Sequence, residues 1–235
     1  EGGRAGFGTP RVIGGFVVAA ASGIGFLAAE LCASEPMLPL GFFRNATFSV
    51  ATLVGLTINL TLYGMIFVLG LYLQQVLRYS PLQAGMAFLP FPVALGLANV
   101  AAGHVAEQYR PRVRMAIGLG IAAVGFWLLS HVQGNSAYWP LLPGMIIIPI
   151  GIGLAVPLMT ATLLSTVPRD RSGTASGVLN TVRQAGGAIG VALFGALLGA
   201  HGVAGMRVAL VLSAMALLAV GITAALPRYS RSMPG

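Results

Sequence analysis

The sequence predicts an all-α, polytopic helical membrane protein with about seven transmembrane helices, and three observations carry that expectation. First, 57% of the residues are apolar and only 8% are charged, with a mean hydropathy of +0.88, whereas a soluble domain carries about a quarter charged residues. Second, the charged residues bound runs that contain none: Arg44 to Arg78, Arg78 to Glu107, Arg114 to Arg169, Arg183 to Arg207 and Arg207 to Arg228. About 20 apolar residues cross the hydrocarbon of a bilayer, so each run holds a span and the third holds two. Third, all 13 basic residues are arginine, and most stand between the apolar runs, where loops anchor topology.

Taken in order, residues 1–11 are expected as an external loop and the first span as residues 12–31. A polar stretch with Pro36 and Pro39 ends that span, and residues 32–45 form a cytoplasmic connector. The second span is expected from Ala46 to Gln74. The third runs from Pro81 to Ala106, with a kink at Pro90 and Pro92. The fourth covers Val113 to His131 and is followed by the turn Gln133-Gly134-Asn135-Ser136, after which Trp139 supplies an aromatic interface anchor. The fifth, Pro140 to Val167, contains Pro149 and Pro157; the sixth is Ser172 to Ala200; the seventh is Met206 to Leu226, stopped by Pro227. Six spans thus fall within 46–226, and 227–235 is expected as a cytoplasmic tail.

Orientation follows from the arginines. Arg44, Arg110, Arg112, Arg114, Arg169, Arg171, Arg228 and Arg231 collect on one side, against Arg4, Arg11, Arg78 and Arg207 on the other. The positive-inside bias puts the first set in the cytoplasm, with the N-terminus outside and the C-terminus inside, in the cell membrane. The opening Glu1-Gly2-Gly3-Arg4 reads as internal to a longer chain, with no signal peptide.

Several function classes find no support. The net charge of +8 would suggest nucleic acid in a soluble protein, but here it belongs to the loops. Cys32 is the only cysteine, so neither an internal disulfide nor a cysteine zinc site is expected. His104, His131 and His201 lack ligand spacing, and no hydrolase or metalloprotease motif occurs. Gly118-Leu119-Gly120 is not a phosphate loop, because no strand precedes it. The expectation is a protein that is not an enzyme, with no cofactor, no metal and no catalytic residue, whose partner is the lipid bilayer. Glycines at four-residue spacing, Gly173 and Gly177, Gly186 and Gly190, Gly195 and Gly199, are expected at close helix contacts.

Polar groups inside a span are costly, so each is a candidate for function. Arg183 lies about eleven residues from Ser172, roughly 16 Å deep in a core about 30 Å thick. Ser176, Asn180, Arg183 and Gly187 share one helix face, with Thr181 and Gln184 nearby. That face is expected to line a water-accessible cavity or gate; a buried ion pair or carbonyl clamp is the alternative. On the second span Thr52, Gly55, Asn59 and Tyr63 share a face, where Asn59 and Tyr63 serve either the pathway or a plain interhelix hydrogen bond. Gln74 and Gln75 fit a helix terminus. The acids Glu30, Glu35, Glu107 and Asp170 all fall at span ends, with Glu1 outside, so a proton-carrying carboxylate is expected in another part of the protein.

Three stretches resemble a known family. They are Glu35-Pro-Met-Leu-Pro-Leu-Gly-Phe-Phe-Arg44-Asn45; Tyr72-Leu-Gln74-Gln75-Val with Ser80-Pro81-Leu-Gln-Ala-Gly85-Met-Ala-Phe-Leu-Pro90; and Gly173-Thr-Ala-Ser-Gly177-Val-Leu-Asn180-Thr-Val-Arg183-Gln184-Ala-Gly186-Gly187-Ala-Ile-Gly190. Together they are similar to the fourteen-helix drug:proton antiporter branch of the major facilitator superfamily. The resemblance implies that the first span is a linker helix and the other six are the C-terminal bundle. It also implies proton-coupled export of drugs or other small amphipathic molecules. Its partners would be an N-terminal half of the same transporter, a small-molecule substrate and the proton, with Asn59, Tyr63, Asn180, Arg183 and Gln184 as pathway residues. A siderophore, peptide or secondary metabolite is the alternative cargo, and a non-transporting scaffold or truncated remnant the alternative role. The family's cytoplasmic loop motif is matched by Gly103, Glu107 and Arg112. Gln108, Arg110 and Pro111 depart from it, so this segment reads either as a gate or as a solvated loop.

Overall fold

The computed structural model describes residues 10–32, 40–104, 110–133 and 137–226, and among them all regular structure is helical. Pro10–Cys32 is α1, and its described side chains are all exposed, Ile24 by 69%. Such a surface would be untenable in water and is ordinary against lipid. A short 3₁₀ turn, Leu40–Arg44, leads to α2, Ala46–Leu71. Asn45 starts α2 because its side-chain oxygen accepts the Thr47 and Phe48 amides at 2.9 and 3.4 Å.

The second span reaches beyond Gln74 because α2 continues through a π turn, Tyr72–Val76. It closes with Arg78 in the left-handed region at φ 58°. That residue lets the Tyr79 amide turn back to the Leu73 carbonyl at 3.0 Å, six positions earlier and so one residue wider than the 6→1 bond that commonly ends helices, here without glycine.

The third span is two helices, α3 (Pro81–Ala87) and α4 (Pro90–His104), and the break falls at Phe88 and Leu89, just ahead of the prolines. Pro90 has no amide to give, and the Phe91 amide bonds to Phe88 instead of Ala87. The freed Ala87 carbonyl is satisfied by the Tyr138 hydroxyl at 2.9 Å. Burial, and then the neighbouring Tyr79, raise the Tyr138 phenol above its ordinary pKa, so it keeps the proton it donates.

Next come α5 (Pro111–Leu129), a 3₁₀ turn at Trp139–Leu141, and α6 (Leu142–Leu164) with Pro149 and Pro157 inside. Trp139 is exposed by 74%, as an interface anchor would be. The last helical element, α7, is Ser172–Ala225, broken at Gly202 into two arms, 172–201 and 203–225. Gly202 has φ 56° and ψ −138°, a conformation open in practice only to glycine. Gly205 then lets the Leu197 carbonyl lie where a Cβ would stand, so the two arms fold closely on each other.

Glycines also seat the helices. In α5 and α6, Gly118 and Gly151 face each other's carbonyls, Gly125 lies under Ile148 and Gly144 under Leu129. In α4 and α6, the Ala98 Cβ lies 2.7 Å from where a Gly153 Cβ would stand. In α2 and the first arm of α7, the Leu56 carbonyl lies 2.5 Å from the position of a Gly186 Cβ, and the Leu60 carbonyl fills the equivalent place at Gly190. The three four-residue glycine pairs therefore differ. Gly186 and Gly190 are both seated and Gly195 meets Phe67, whereas Gly173, Gly177 and Gly199 face open space. Phe48, Ile58, Met65, Met115, Phe126 and Ile148 fill the centre, while Val93, Leu97 and Val100 make an outward apolar stripe on α4.

A methyl group at Gly190 must displace backbone and not a flexible side chain. In the full-length protein Gly190→Ala is expected to cost about 1–3 kcal/mol, while Gly120→Ala, in open space, stays within about 0.5 kcal/mol. Detergent-solubilised thermal denaturation of the two variants checks this. Equal melting temperatures would show that the seam is not close-packed.

Candidate functional site

The glycine seam fixes how α2 and the first arm of α7 face each other, and so what lies beside it. Gly187 accommodates the Tyr63 ring, 3.0 Å from where a Cβ would be, and Gly55 accommodates Arg183, whose Cγ comes to 3.1 Å. Leu179 and Met159 close around the same glycine at 3.0 and 3.3 Å. Beyond these contacts opens a cavity of about 670 Å³, lined by Asn59 and Tyr63 of α2 and by Asn180, Arg183, Gln184, Gly187, Ala188 and Val191 of α7. Ligand pockets usually measure about 300–1,000 Å³, so the space suits a drug-sized molecule.

All five pathway candidates thus share one wall. Asn59 is buried, and its amide nitrogen donates to the Gly55 carbonyl at 3.0 Å within its own helix, which leaves its oxygen as an acceptor. Tyr63 is 49% exposed, and Asn180 and Gln184 are exposed. Arg183 is half-buried, and its Nε is buried with no hydrogen-bond partner. Thr52, expected on the Asn59 face, lies buried and donates to the Phe48 carbonyl at 2.9 Å, so it takes no part in the wall.

The loop candidates do not join this cavity. Gly103 lies in the last turn of α4 and Glu107 lies outside the described residues. Arg112, at the start of α5, donates from Nη2 to the Thr47 hydroxyl at 3.1 Å, in a crevice of about 10 Å³ that also meets Thr162 and Thr223. That contact ties α5 to α2, and it rests on two side chains 65 positions apart that no motif pairs. At the opposite end lie further ties that no motif signals. The Tyr72 hydroxyl donates to the Gln133 carbonyl at 2.7 Å, and Arg207 Nε donates to the Ser130 carbonyl at 2.9 Å, where its charge meets the C-terminus of α5. Among the described residues no cluster of His, Cys, Asp and Glu could hold a metal.

A helical membrane protein with a polar cavity between close-packed helices is the class this geometry defines. The sequence model of the Major Facilitator Superfamily matches residues 28–191, and the chain belongs to that family of membrane transporters. It is 30% identical over 182 residues to a multidrug efflux pump of Mycolicibacterium smegmatis, covering 77% of this chain and 36% of the pump. It is 27% identical over 199 residues to a methylenomycin A resistance protein of Bacillus subtilis, covering 84% of this chain and 43% of that protein. To a tetracenomycin C resistance and export protein of Streptomyces glaucescens it is 28% identical over 196 residues, covering 82% and 36%. The chain thus spans less than half the length of these curated relatives.

If water fills the cavity, cysteines on its wall meet thiol reagents and cysteines facing lipid do not. In a Cys32→Ser background, Asn180→Cys, Gln184→Cys and Ala188→Cys are expected to react at least about tenfold faster with a water-soluble methanethiosulfonate than Val124→Cys, because only a hydrated thiol ionises readily. Equal rates at all four positions would mean that this wall is not wet.

Proposed function

We propose that this chain is the C-terminal half of a secondary active exporter in the bacterial cell membrane, which moves drugs or other small amphipathic organic molecules outward against proton entry. The convergence of five polar side chains from two helices on one cavity is the observation that carries the reading. It is supported by relatives that are resistance and efflux proteins and are more than twice as long as the part matched here.

In this reading residues 12–31 are a linker span, 46–226 the six-helix bundle, and an N-terminal half supplies the facing wall. Transporters of this architecture hold their cargo at the interface of two repeats that rock about it. The N-terminus is then outside and the C-terminus in the cytoplasm, a reading that the arginine distribution supports. Asn59, Tyr63, Asn180, Arg183 and Gln184 face the cargo. Gly103, Glu107 and Arg112 belong to the cytoplasmic loop, where Arg112 steadies the entry to α5. No acid lies inside the bundle spans, so the coupling carboxylate belongs to the other half.

The test is efflux of ethidium from cells expressing the full-length protein. Efflux is expected to stop with a protonophore and to fall about tenfold or more when Asn59 and Gln184 are both changed to alanine, since each loses a polar contact to cargo. A protein that folds and inserts but lowers the accumulation of neither ethidium nor rhodamine B, and leaves drug susceptibility unchanged, would sink the exporter reading.

A further inference from the structure

We propose that Arg183 is the docking point for a carboxylate carried by the transported molecule, so that the cavity selects acids and zwitterions over pure cations. The inference rests on reading this cavity as the cargo site.

Charge is the first argument. Of the eight lining residues, Arg183 is the only one ionised at neutral pH; the others offer amides, a phenol or apolar groups. Among the described residues nothing compensates it: no hydrogen bond or ion pair leaves the guanidinium, and its Nε is buried without a partner. Asp170, on the same strand of chain, is 13 positions earlier, about 20 Å away at the rise of a helix. A cation entering this cavity meets a like charge with its screening water partly removed, whereas an acid meets its only counter-ion.

Position is the second argument. The Arg183 stem passes directly over Gly55, with Leu179 and Met159 against the same spot. The side chain is therefore braced at mid-span, not free to reach toward an interface as exposed arginines do. The planar fork of a guanidinium suits a carboxylate better than it suits a lone hydroxyl. Asn180 and Gln184, three residues before and one after, together with Tyr63 of α2 on the same wall, offer neutral hydrogen-bonding groups for the rest of the molecule.

Rhodamine B and its ethyl ester make a matched pair of probes: the same ring system, with and without a free carboxylate. Their binding to the purified full-length protein is read by fluorescence anisotropy. The wild type is expected to favour the acid by about tenfold, the scale of one charge-assisted contact. Arg183→Gln should weaken the acid and tighten the ester, and Arg183→Lys should keep the order of preference. Asn180→Asp, one turn away, supplies an internal acid and should reverse the order with Arg183 in place; this variant and the lysine decide the matter if the glutamine variant does not fold. A wild type that favours the ester, ranks the two equally or binds neither overturns the proposal, as does an unchanged ranking in Arg183→Gln. Equal loss of both dyes in a folded Arg183→Gln protein also overturns it, because Arg183 would then serve a carboxylate of the protein itself. Ethidium efflux without any preference for the acid defeats this inference alone; acid preference without efflux of any dye defeats the exporter reading alone.

Discussion

The carbonyl oxygens of Leu56 and Leu60 occupy the space that side chains at positions 186 and 190 would need, and most of the functional geometry follows from that. Lipid tails are as apolar as leucine, so helices in a bilayer gain little by hiding apolar surface from one another; they associate by approaching closely enough for many weak contacts. Two glycines one turn apart permit that approach along a line, and a line fixes rotation as well as distance. Once α2 and the first arm of α7 are locked in this rotation, Tyr63 must lie on Gly187 and Arg183 must cross Gly55. The next positions around each helix, Asn59 on one and Asn180 and Gln184 on the other, then have nowhere to face but the cavity.

The remaining helices hold that pair by related means. Gly118, Gly125, Gly144 and Gly151 bring α5 and α6 together, and Gly153 brings α6 to α4. At the ends, where loops leave carbonyls unbonded, tyrosine and arginine side chains complete them, as Tyr138 does for Ala87 and Arg207 for Ser130. Apolar side chains such as Leu97 and Ile222 are left outside, against lipid. At the cavity the exposed polar groups are Tyr63 of α2 and Asn180 and Gln184 of α7.

The span count and most helix limits were legible because charge and proline are expensive in a membrane and therefore punctuate it. That one face of α7 lines a cavity was legible for the same reason, since a mid-span arginine is costly unless it meets water or a partner. Spacing alone said less. Gly173 and Gly177 have the same interval as Gly186 and Gly190, yet only the second pair meets a neighbour, because an interval names a face without naming what lies opposite. Thr52 shares the periodicity of Asn59, but its hydroxyl turns back to its own helix at Phe48, an option that short hydroxyl side chains always have. The break at Phe88 and Leu89 precedes Pro90 because a proline disturbs the turn before it. The tie from Arg112 to Thr47 depends on packing between helices far apart in sequence, which no local pattern encodes.

The identity of the one ionised residue in the cavity wall limits the chemistry this wall can offer. A lysine or histidine there could release a proton when the cavity changed its exposure, and a carboxylate could take one up. An arginine side chain is effectively always protonated in proteins, so what it offers a ligand is a fixed charge. It can attract and orient an anion, but it is no proton carrier. The other lining groups, two asparagines, a glutamine and a tyrosine among small and apolar residues, add hydrogen bonding without adding a carrier. In the exporter reading proposed above, a wall so built would recognise cargo by shape and by a fixed charge, and exchange of that cargo for protons would require a titratable group outside this wall.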